Sequence, residues 1–178
     1  MPNGHEQQSP EIPQSDMAGY LRAYIGKNAE KYEDQISHHT AGPNAGLKPG
    51  WCWGALVLFV GWPLYRKLWL IGGGVFVIFL SANSLARNVE PMLGILINIT
   101  VPFALAIYGK SYYVRHAKSE IEKMLATATT PDEARAQIQN KGGVSIIGGI
   151  LGSLPIIAFV PIAVFGLIAL GQFGSPPQ

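Results

Sequence analysis

Few residues in this 178-residue chain have the types and spacing that chemistry requires, and the adjacent pair His38-His39 is the first candidate. Histidine binds metal ions, but neighbouring side chains on a helix point to different faces, and no cysteine or third histidine lies nearby at ligand spacing. The other two histidines, His5 and His116, are remote in the sequence. We therefore expect no metal site, and we interpret the pair as the polar end of a helix.

A catalytic group inside a membrane is equally hard to find. An intramembrane hydrolase needs a serine with a histidine or lysine partner, or a pair of carboxylates. Ion-coupled transporters likewise place ionisable residues at membrane depth, and the long apolar segments of this chain contain none. The glycine run at 72–74 lacks both the strand–turn–helix setting and the lysine of a phosphate-binding loop. We predict that the chain is not an enzyme and that it binds no cofactor.

The composition indicates an integral membrane protein. Hydrophobic residues make up 48% of the chain and charged residues only 13%, about half of the share that is typical of soluble domains. The loss of charge is local, because 68–86, 91–109 and 144–170 contain no charged residue. A stretch of about 20 apolar residues matches a hydrocarbon core of about 30 Å. We predict an all-α fold with transmembrane helices at these three ranges; buried core helices of a soluble protein are the alternative.

The aromatic-rich segment 51–67 is too short to cross a membrane comfortably. Trp and Tyr prefer the membrane–water interface, and a helix from Trp53 to Trp62 would rise only about 14 Å, roughly half of a bilayer core. We therefore predict a re-entrant or interfacial segment, whose backbone must be covered by protein. The alternative is that the segment crosses, which would give four spans and a periplasmic N-terminus. The residues that we expect to act as interface anchors are Trp51, Trp53, Trp62, Tyr65, Arg66, Lys67 and Trp69.

The remaining segments are polar. Residues 1–16 are rich in proline and poor in apolar side chains, which predicts a disordered tail, and residues 171–178 form a short tail. Residues 17–50 have helical periodicity and predict a cytoplasmic helical region that ends in a loop rich in glycine and proline.

Residues 110–142 predict cytoplasmic amphipathic helices. Tyr113, Ala117, Ile121, Met124 and Ala128 recur at steps of three and four residues, which places them on one face of a helix. The sequence "TPDE" at 130–133 is typical of a capping box and predicts the start of a second, short helix. Such basic amphipathic helices lie on lipid headgroups or pack as a cytoplasmic cap.

The distribution of lysine and arginine predicts the orientation. Basic residues favour the cytoplasmic side; the loop 109–143 holds six of them, and the C-terminal tail holds none. We therefore expect a multi-pass protein of the bacterial inner membrane, with a cytoplasmic N-terminus and a periplasmic C-terminus. The net charge of +2 is dispersed and predicts no nucleic-acid partner.

Gly148 and Gly152 form a G-x-x-x-G step in the last predicted span. Small residues at this spacing let two helix backbones approach closely, although glycine is also common in membrane helices by chance. We predict a packing face whose partner is this protein's own first span, at 68–86; a second copy or another membrane protein is the alternative. Membrane lipids are the other expected partner.

Three local patterns carry a family resemblance: "YIGKNAEKY" at 24–32, "WCWGALVLFVGWPLYRKLW" at 51–69 and "KGGVS" before the last span. Together they resemble the bacterial domain-of-unknown-function family 2628, in which "LYRKLW" is the most specific block. Val57, Val60 and Leu68 depart from the residues that the family pattern has there. The resemblance implies a small inner-membrane protein and supplies no activity.

These observations favour a non-enzymatic accessory or interaction subunit that acts through helix packing in the membrane. The alternative is a protein that handles lipids or conducts small solutes. Conduction would require a polar cavity formed by Asn83, Asn98 and Thr100.

Overall fold

The computed structural model describes residues 14–42, 45–88 and 91–154, and every regular element in these ranges is a helix. The predicted all-α class is therefore confirmed for this part of the chain. Residues 1–13 of the predicted tail lie outside the described residues, as do residues 155–178, which include most of the predicted last span.

The helices follow one another along the chain with short connections. They are α1 (Gln14–Ile25), a 3-10 helix (Gly26–Tyr32), α2 (Glu33–Thr40), α3 (Trp53–Leu58), α4 (Gly61–Tyr65), α5 (Trp69–Asn88), α6 (Pro91–Thr127), α7 (Pro131–Lys141) and α8 (residues 146–154). The described residues form two compact units. The first contains residues 14–52 and 106–144, and the second contains 53–105 and 145–154.

The core of the first unit is a set of buried aliphatic side chains from α1, α2, α6 and α7. Leu21, Ile36, Ile121 and Ile138 are completely buried, and burial of one such side chain contributes about 1.5–3 kcal/mol. α1 ends at Ile25 because the next residue, glycine, has a positive φ of 75°, which few other residues adopt without strain.

The amphipathic stripe predicted in 110–127 lies on the buried face of α6. Tyr113, Ala117, Ile121 and Met124 are all buried, and the Tyr113 ring meets the edge of Tyr32 at a centroid distance of 5.5 Å. The stripe therefore has the helical spacing that the sequence indicates.

The predicted cap also opens α7. The Thr130 side chain accepts a hydrogen bond from the Glu133 backbone N–H at 3.2 Å, and the Glu133 carboxylate accepts one from the Thr129 N–H at 3.1 Å. The helix ends at Gly142-Gly143, where the Gly143 N–H donates to the Tyr24 carbonyl at 2.7 Å. A side chain on Gly142 would overlap that carbonyl, so this turn requires glycine.

The second unit begins with a helical hairpin formed by α3 and α4. Phe59, between the two helices, has a φ of +44°, and a Cβ atom built on Gly54 would lie 3.2 Å from the indole of Trp62. In a straight helix, the eight-residue step from Gly54 to Trp62 would separate the backbones of these two residues by about 12 Å. The segment therefore turns back on itself, and burial of the Phe59 ring against Val60 and Val75 stabilises the strained turn.

A second sharp turn leads from α4 into α5. The Lys67 N–H donates to the Leu64 carbonyl at 3.1 Å, and the Leu68 N–H donates to the Pro63 carbonyl at 2.8 Å. These are the two hydrogen bonds of a Schellman cap. Lys67 has a φ of +60° at the position where glycine is usual. This conformation costs a residue with a side chain about 1–2 kcal/mol of backbone strain. Lys67 therefore makes the turn less stable than glycine would.

Among the described residues, one helix is long and apolar enough to cross a membrane by length and composition: Met92–Thr127, with a mean hydropathy of 1.9 in its apolar part. The apolar stretch of α5, Trp69–Leu85, is shorter. The predicted span at 91–109 therefore lies in such a helix, which continues without a break to Thr127. The spans at 68–86 and 144–170 stay predictions.

Candidate functional site

The G-x-x-x-G residues of α8 pack against α4, the second helix of the hairpin. A Cβ atom on Gly152 would lie 2.6 Å from the Gly61 Cα atom, and one on Gly148 would lie 2.5 Å from the Leu64 carbonyl oxygen. Real Cβ atoms do not approach other backbones this closely, so both positions require glycine. The contact of these two glycines is thus with the hairpin, whereas the sequence suggested the first predicted span.

The start of α8 is fixed to the same hairpin by hydrogen bonds. The Ser145 N–H donates to the Tyr65 carbonyl at 2.8 Å. The Ser145 side chain accepts from the Gly148 N–H at 3.1 Å, which is the geometry of an N-cap. One serine therefore both begins the helix and sets its position against the hairpin.

An apolar groove lies beside this contact and has a volume of about 320 Å³. Its lining residues come from α3, α4 and α8 and are Leu58, Tyr65, Ile146, Gly149, Ile150 and Ser153. Gly149 packs closely on another lining residue, since a Cβ atom there would lie 3.1 Å from the Tyr65 ring.

The seven predicted interface anchors have different environments. Trp53 and Trp69 are 68% and 55% exposed, and Trp51 is exposed as well, while Tyr65 and Lys67 are half-buried. Trp62 and Arg66 are only 4% and 6% exposed. Trp62 packs across the hairpin against Gly54, so little of its surface is left to meet a membrane interface, contrary to expectation.

The first unit contains a polar pair that sequence reasoning missed. His39 Nε2 lies 2.8 Å from the hydroxyl of Ser111, which also accepts a hydrogen bond from the Lys48 backbone N–H at 2.9 Å. The Lys118 ammonium donates to the His39 carbonyl at 2.9 Å. His39 and Ser111 are 72 residues apart, so no local spacing pattern could have paired them.

His39 is held in its neutral form. Burial lowers its pKa to about 4, and the positive charges of His38, Lys118 and Arg115 act in the same direction. The Ser111 hydroxyl already accepts from the Lys48 N–H, and whether it donates to the neutral ring at Nε2 or accepts from it depends on the tautomer of His39. A serine beside a histidine resembles a nucleophile with its base, but Ser111 and His39 are 0% and 2% exposed. The pair therefore attaches the loop after α2 to α6 and offers no surface to a substrate.

A cluster of charges joins α6 to the end of α7. The Glu120 carboxylate lies 2.9 Å from the Lys123 ammonium and 2.6 Å from that of Lys141. Hydrogen bonds to these two lysines lower the pKa of Glu120 to about 2. The described residues contain no group of three or more His, Cys, Asp or Glu side chains placed to hold a metal ion.

Comparison of the chain with protein-family models, curated proteins and solved structures finds no match.

The contact between α8 and α4 predicts a contrast between two glycines. Gly152→Ala places a methyl group against the Gly61 backbone and should lower the free energy of unfolding by about 1–3 kcal/mol, as other overpacked contacts do. Gly73→Ala, on α5, meets nothing within 4 Å and should be neutral or stabilising, because alanine favours the helix. Denaturant unfolding in mild detergent measures both; equal effects would show that the close approach is not required.

The buried histidine predicts a pH dependence. The unfolded state binds a proton at His39 below about pH 6.5, whereas the folded state does not until about pH 4. Stability is therefore complete above pH 6.5 and should fall by up to about 3 kcal/mol as the pH drops towards 4. His39→Gln, which cannot titrate, should be less stable at pH 7. Its free energy of unfolding should change little between pH 6.5 and 5.

The matched control is His38→Gln, which changes the neighbouring histidine. That side chain forms a hydrogen bond with the Gly46 carbonyl at 3.0 Å and lies 5.1 Å from the His39 ring between centroids. Its loss removes one of the charges that lower the pKa of His39 but leaves burial, the largest cause. The slope of unfolding free energy against pH should survive this substitution. If His38→Gln flattens the slope and His39→Gln does not, the buried ring is not the titrating group.

Proposed function

We propose that this chain is an integral protein of the bacterial inner membrane that acts without catalysis, as an accessory or interaction subunit, through helix packing. The observation that carries the proposal is the apolar part of α6, of which only 17% is buried within the protein. The core helix of a soluble protein would be mostly buried. An apolar helix of this length with an uncovered surface is suited to a lipid environment.

The neighbouring surfaces support the same location. Leu70 on α5 is 89% exposed, and Met92 and Leu96 on α6 are 73% and 60% exposed. Each such side chain would lose about 1.5–3 kcal/mol of burial free energy in water. Scattered apolar residues are normal on a soluble surface, but contiguous apolar helix faces indicate contact with lipid or with another helix.

The proposed topology has three spans, at 68–86, 91–109 and 144–170, with the hairpin entering the membrane and returning. The hairpin turn at Phe59 supports return to the side of entry, and α8 covers part of its backbone, as a re-entrant segment needs. The basic residues in 109–143 favour a cytoplasmic position for that loop and for the N-terminus. The family resemblance of 24–32 and 51–69 supports the proposed membrane location and suggests no activity.

A partner helix could approach α5 closely. Cβ atoms built on Gly73 and Gly74 would meet nothing within 4 Å, and the adjacent Leu70 and Val77 are exposed. Small residues beside larger apolar ones are typical of helix–helix contacts in membranes. This face is the surface through which we propose that the chain binds another membrane protein.

The polar residues required for solute conduction do not support that alternative. Asn98 and Thr100 are two residues apart on α6 and so do not share a face; the Thr100 side chain is exposed, whereas the Asn98 carbonyl oxygen is buried. The Asn83 amide donates to the Phe79 carbonyl of its own helix at 2.7 Å.

Reporter fusions test the location and topology. Alkaline phosphatase fused at Met1 should be inactive and a fluorescent protein at the same position should fluoresce, because the turning hairpin keeps the N-terminus on the cytoplasmic side. Protease that reaches the N-terminal tail from the periplasmic side of intact spheroplasts would show that 51–67 crosses instead. A chain found in the soluble fraction would contradict the membrane location altogether.

Co-purification tests the interaction role. Gly73→Leu fills the open face of α5 and should reduce, by at least about fivefold, the recovery of partner protein after purification in mild detergent, since close helix contacts are lost. Ile99→Leu, at an exposed position of α6, keeps the side-chain volume and should recover the partner as the unmodified chain does. Equal recovery from both variants would exclude this face as the partner surface.

A further inference from the structure

Residues 45–52, which we call the strap, precede α3 and contain no regular structure. Alternate backbone N–H groups of the strap donate to α6: that of Lys48 to the Ser111 hydroxyl at 2.9 Å, that of Gly50 to the Ile107 carbonyl at 2.7 Å, and that of Cys52 to the Ala106 carbonyl at 2.8 Å. The strap is therefore attached to α6 through its own backbone.

Polar side chains of α2 also hold the strap. His38 Nε2 lies 3.0 Å from the Gly46 carbonyl oxygen, and the Asp34 carboxylate lies 2.5 Å from the Lys48 ammonium. This ion pair is largely exposed, and such pairs add little stability.

The apolar side chains of the strap contribute little to its attachment. Leu47 and Trp51 are 44% and 40% exposed, and Pro49 between them is exposed as well. Segments with few buried apolar contacts are the first to open in a folded protein. We therefore expect the strap to open at a lower free energy than the core of the same unit unfolds.

The strap passes over buried polar side chains. The Ser111 hydroxyl is bonded both to the Lys48 N–H of the strap and to His39 Nε2, and His39 and Gln35 are each 2% exposed. The Gln35 Oε1 atom is buried and has no hydrogen-bond partner among the described residues. A buried acceptor without a donor destabilises the closed arrangement, because the open one would hydrate it.

Positive charge acts on the buried histidine from its own helix, through His38, and from α6, through Lys118 and Arg115. The strap adds Lys48, whose ammonium is paired with Asp34 of α2. Burial first, and then the three positive groups on the helices, lower the pKa of this histidine to about 4. A hydrated ring regains its ordinary pKa of about 6.5. The closed form is therefore fully favoured above pH 6.5 and loses this advantage as the pH falls towards 4.

We propose that the strap opens from α2 and α6 when His39 binds a proton, while the core of the first unit stays folded. Opening hydrates the imidazolium and the Gln35 oxygen, and it exposes the Ser111 hydroxyl. The first unit then has a closed and an open form, and the proton is the ligand that selects between them. Because the strap belongs to this polar unit, its opening does not depend on the membrane location or the interaction role proposed above.

Cys52 makes the opening measurable, because it is the single cysteine of the chain and its residue is 8% exposed. The experiment uses the full-length chain in mild detergent and an aromatic disulfide reagent that labels thiols. The labelling rate is divided by the rate for the chain unfolded in urea at the same pH. This ratio gives the open fraction, since the ionisation of the thiol affects both rates.

The open fraction should rise about twentyfold between pH 7 and pH 5, as pKa values of about 4 in the closed form and 6.5 in the open form require. His39→Gln, which cannot titrate, should abolish the rise. His38→Gln should keep most of it, because burial of His39 is the largest cause of the low pKa.

The attachment of the strap has a matched pair of serine variants. Ser111→Ala removes the hydroxyl that accepts from the Lys48 N–H and should raise the open fraction at pH 7 at least about fivefold. Ser119→Ala makes the same change at an exposed position of the same helix and should leave the open fraction unchanged. Equal labelling of the two variants would show that the hydroxyl does not hold the strap closed and would overturn the proposal.

Low concentrations of urea distinguish opening of the strap from unfolding of the whole unit, because the denaturant slope grows with the surface exposed. Labelling of Cys52 should depend on urea much less steeply than the unfolding transition does. An equally steep dependence would mean that the thiol is reached by global unfolding alone, which contradicts a separate opening. An open fraction that is the same at pH 7 and pH 5, or a rise that persists in His39→Gln, would also refute the proton as its trigger.

Discussion

The second unit depends on glycine at the crossing of α4 and α8, where there is no room for a side chain. Gly61 and Gly152 bring the backbones of α4 and α8 closer than any Cβ atom would permit. If this crossing lies in hydrocarbon, as proposed above, little hydrophobic gain comes from bringing the helices together, and dispersion contacts at short range and hydrogen bonds must hold them. The serine that begins α8 adds such a bond to the Tyr65 carbonyl. The hairpin, the apolar groove and the turn at Lys67 all border this crossing, and each is positioned by it.

The first unit is held by a different kind of contact. Its core is aliphatic and aromatic, and its loop is attached by buried polar groups: Ser111 accepts from the Lys48 N–H and forms a hydrogen bond with His39. A buried pair of this kind stabilises one arrangement only while both partners remain satisfied. The same burial that keeps a substrate away from the histidine also lowers its pKa. Ser111 and His39 have the functional groups of a catalytic dyad, but both are buried and form a structural contact.

Local patterns could be predicted from the sequence and distant pairings could not. The stripe that begins at Tyr113, the cap at Thr130 and the helical class depend on spacing within one or two turns, and the structure has them. The G-x-x-x-G step showed that α8 needs a close partner, but glycine spacing contains no information about which helix that is. The burial of Trp62 was missed for a related reason: tryptophan favours interfaces on average, while the turn at Phe59 decides where this one lies. His39 and Ser111 meet only because the chain folds, so no reading along the sequence pairs them.

The crossing of α4 and α8 also has a consequence for biogenesis. The hairpin is synthesised before α8, and Gly148 follows Leu64 by 84 residues. At the usual 5–20 residues per second, α8 arrives between about 4 and 17 s later. During that interval the hairpin has no cover from its partner helix. In the membrane location proposed above, the insertion machinery would have to shelter this surface, and chains that stall before α8 would expose it for much longer.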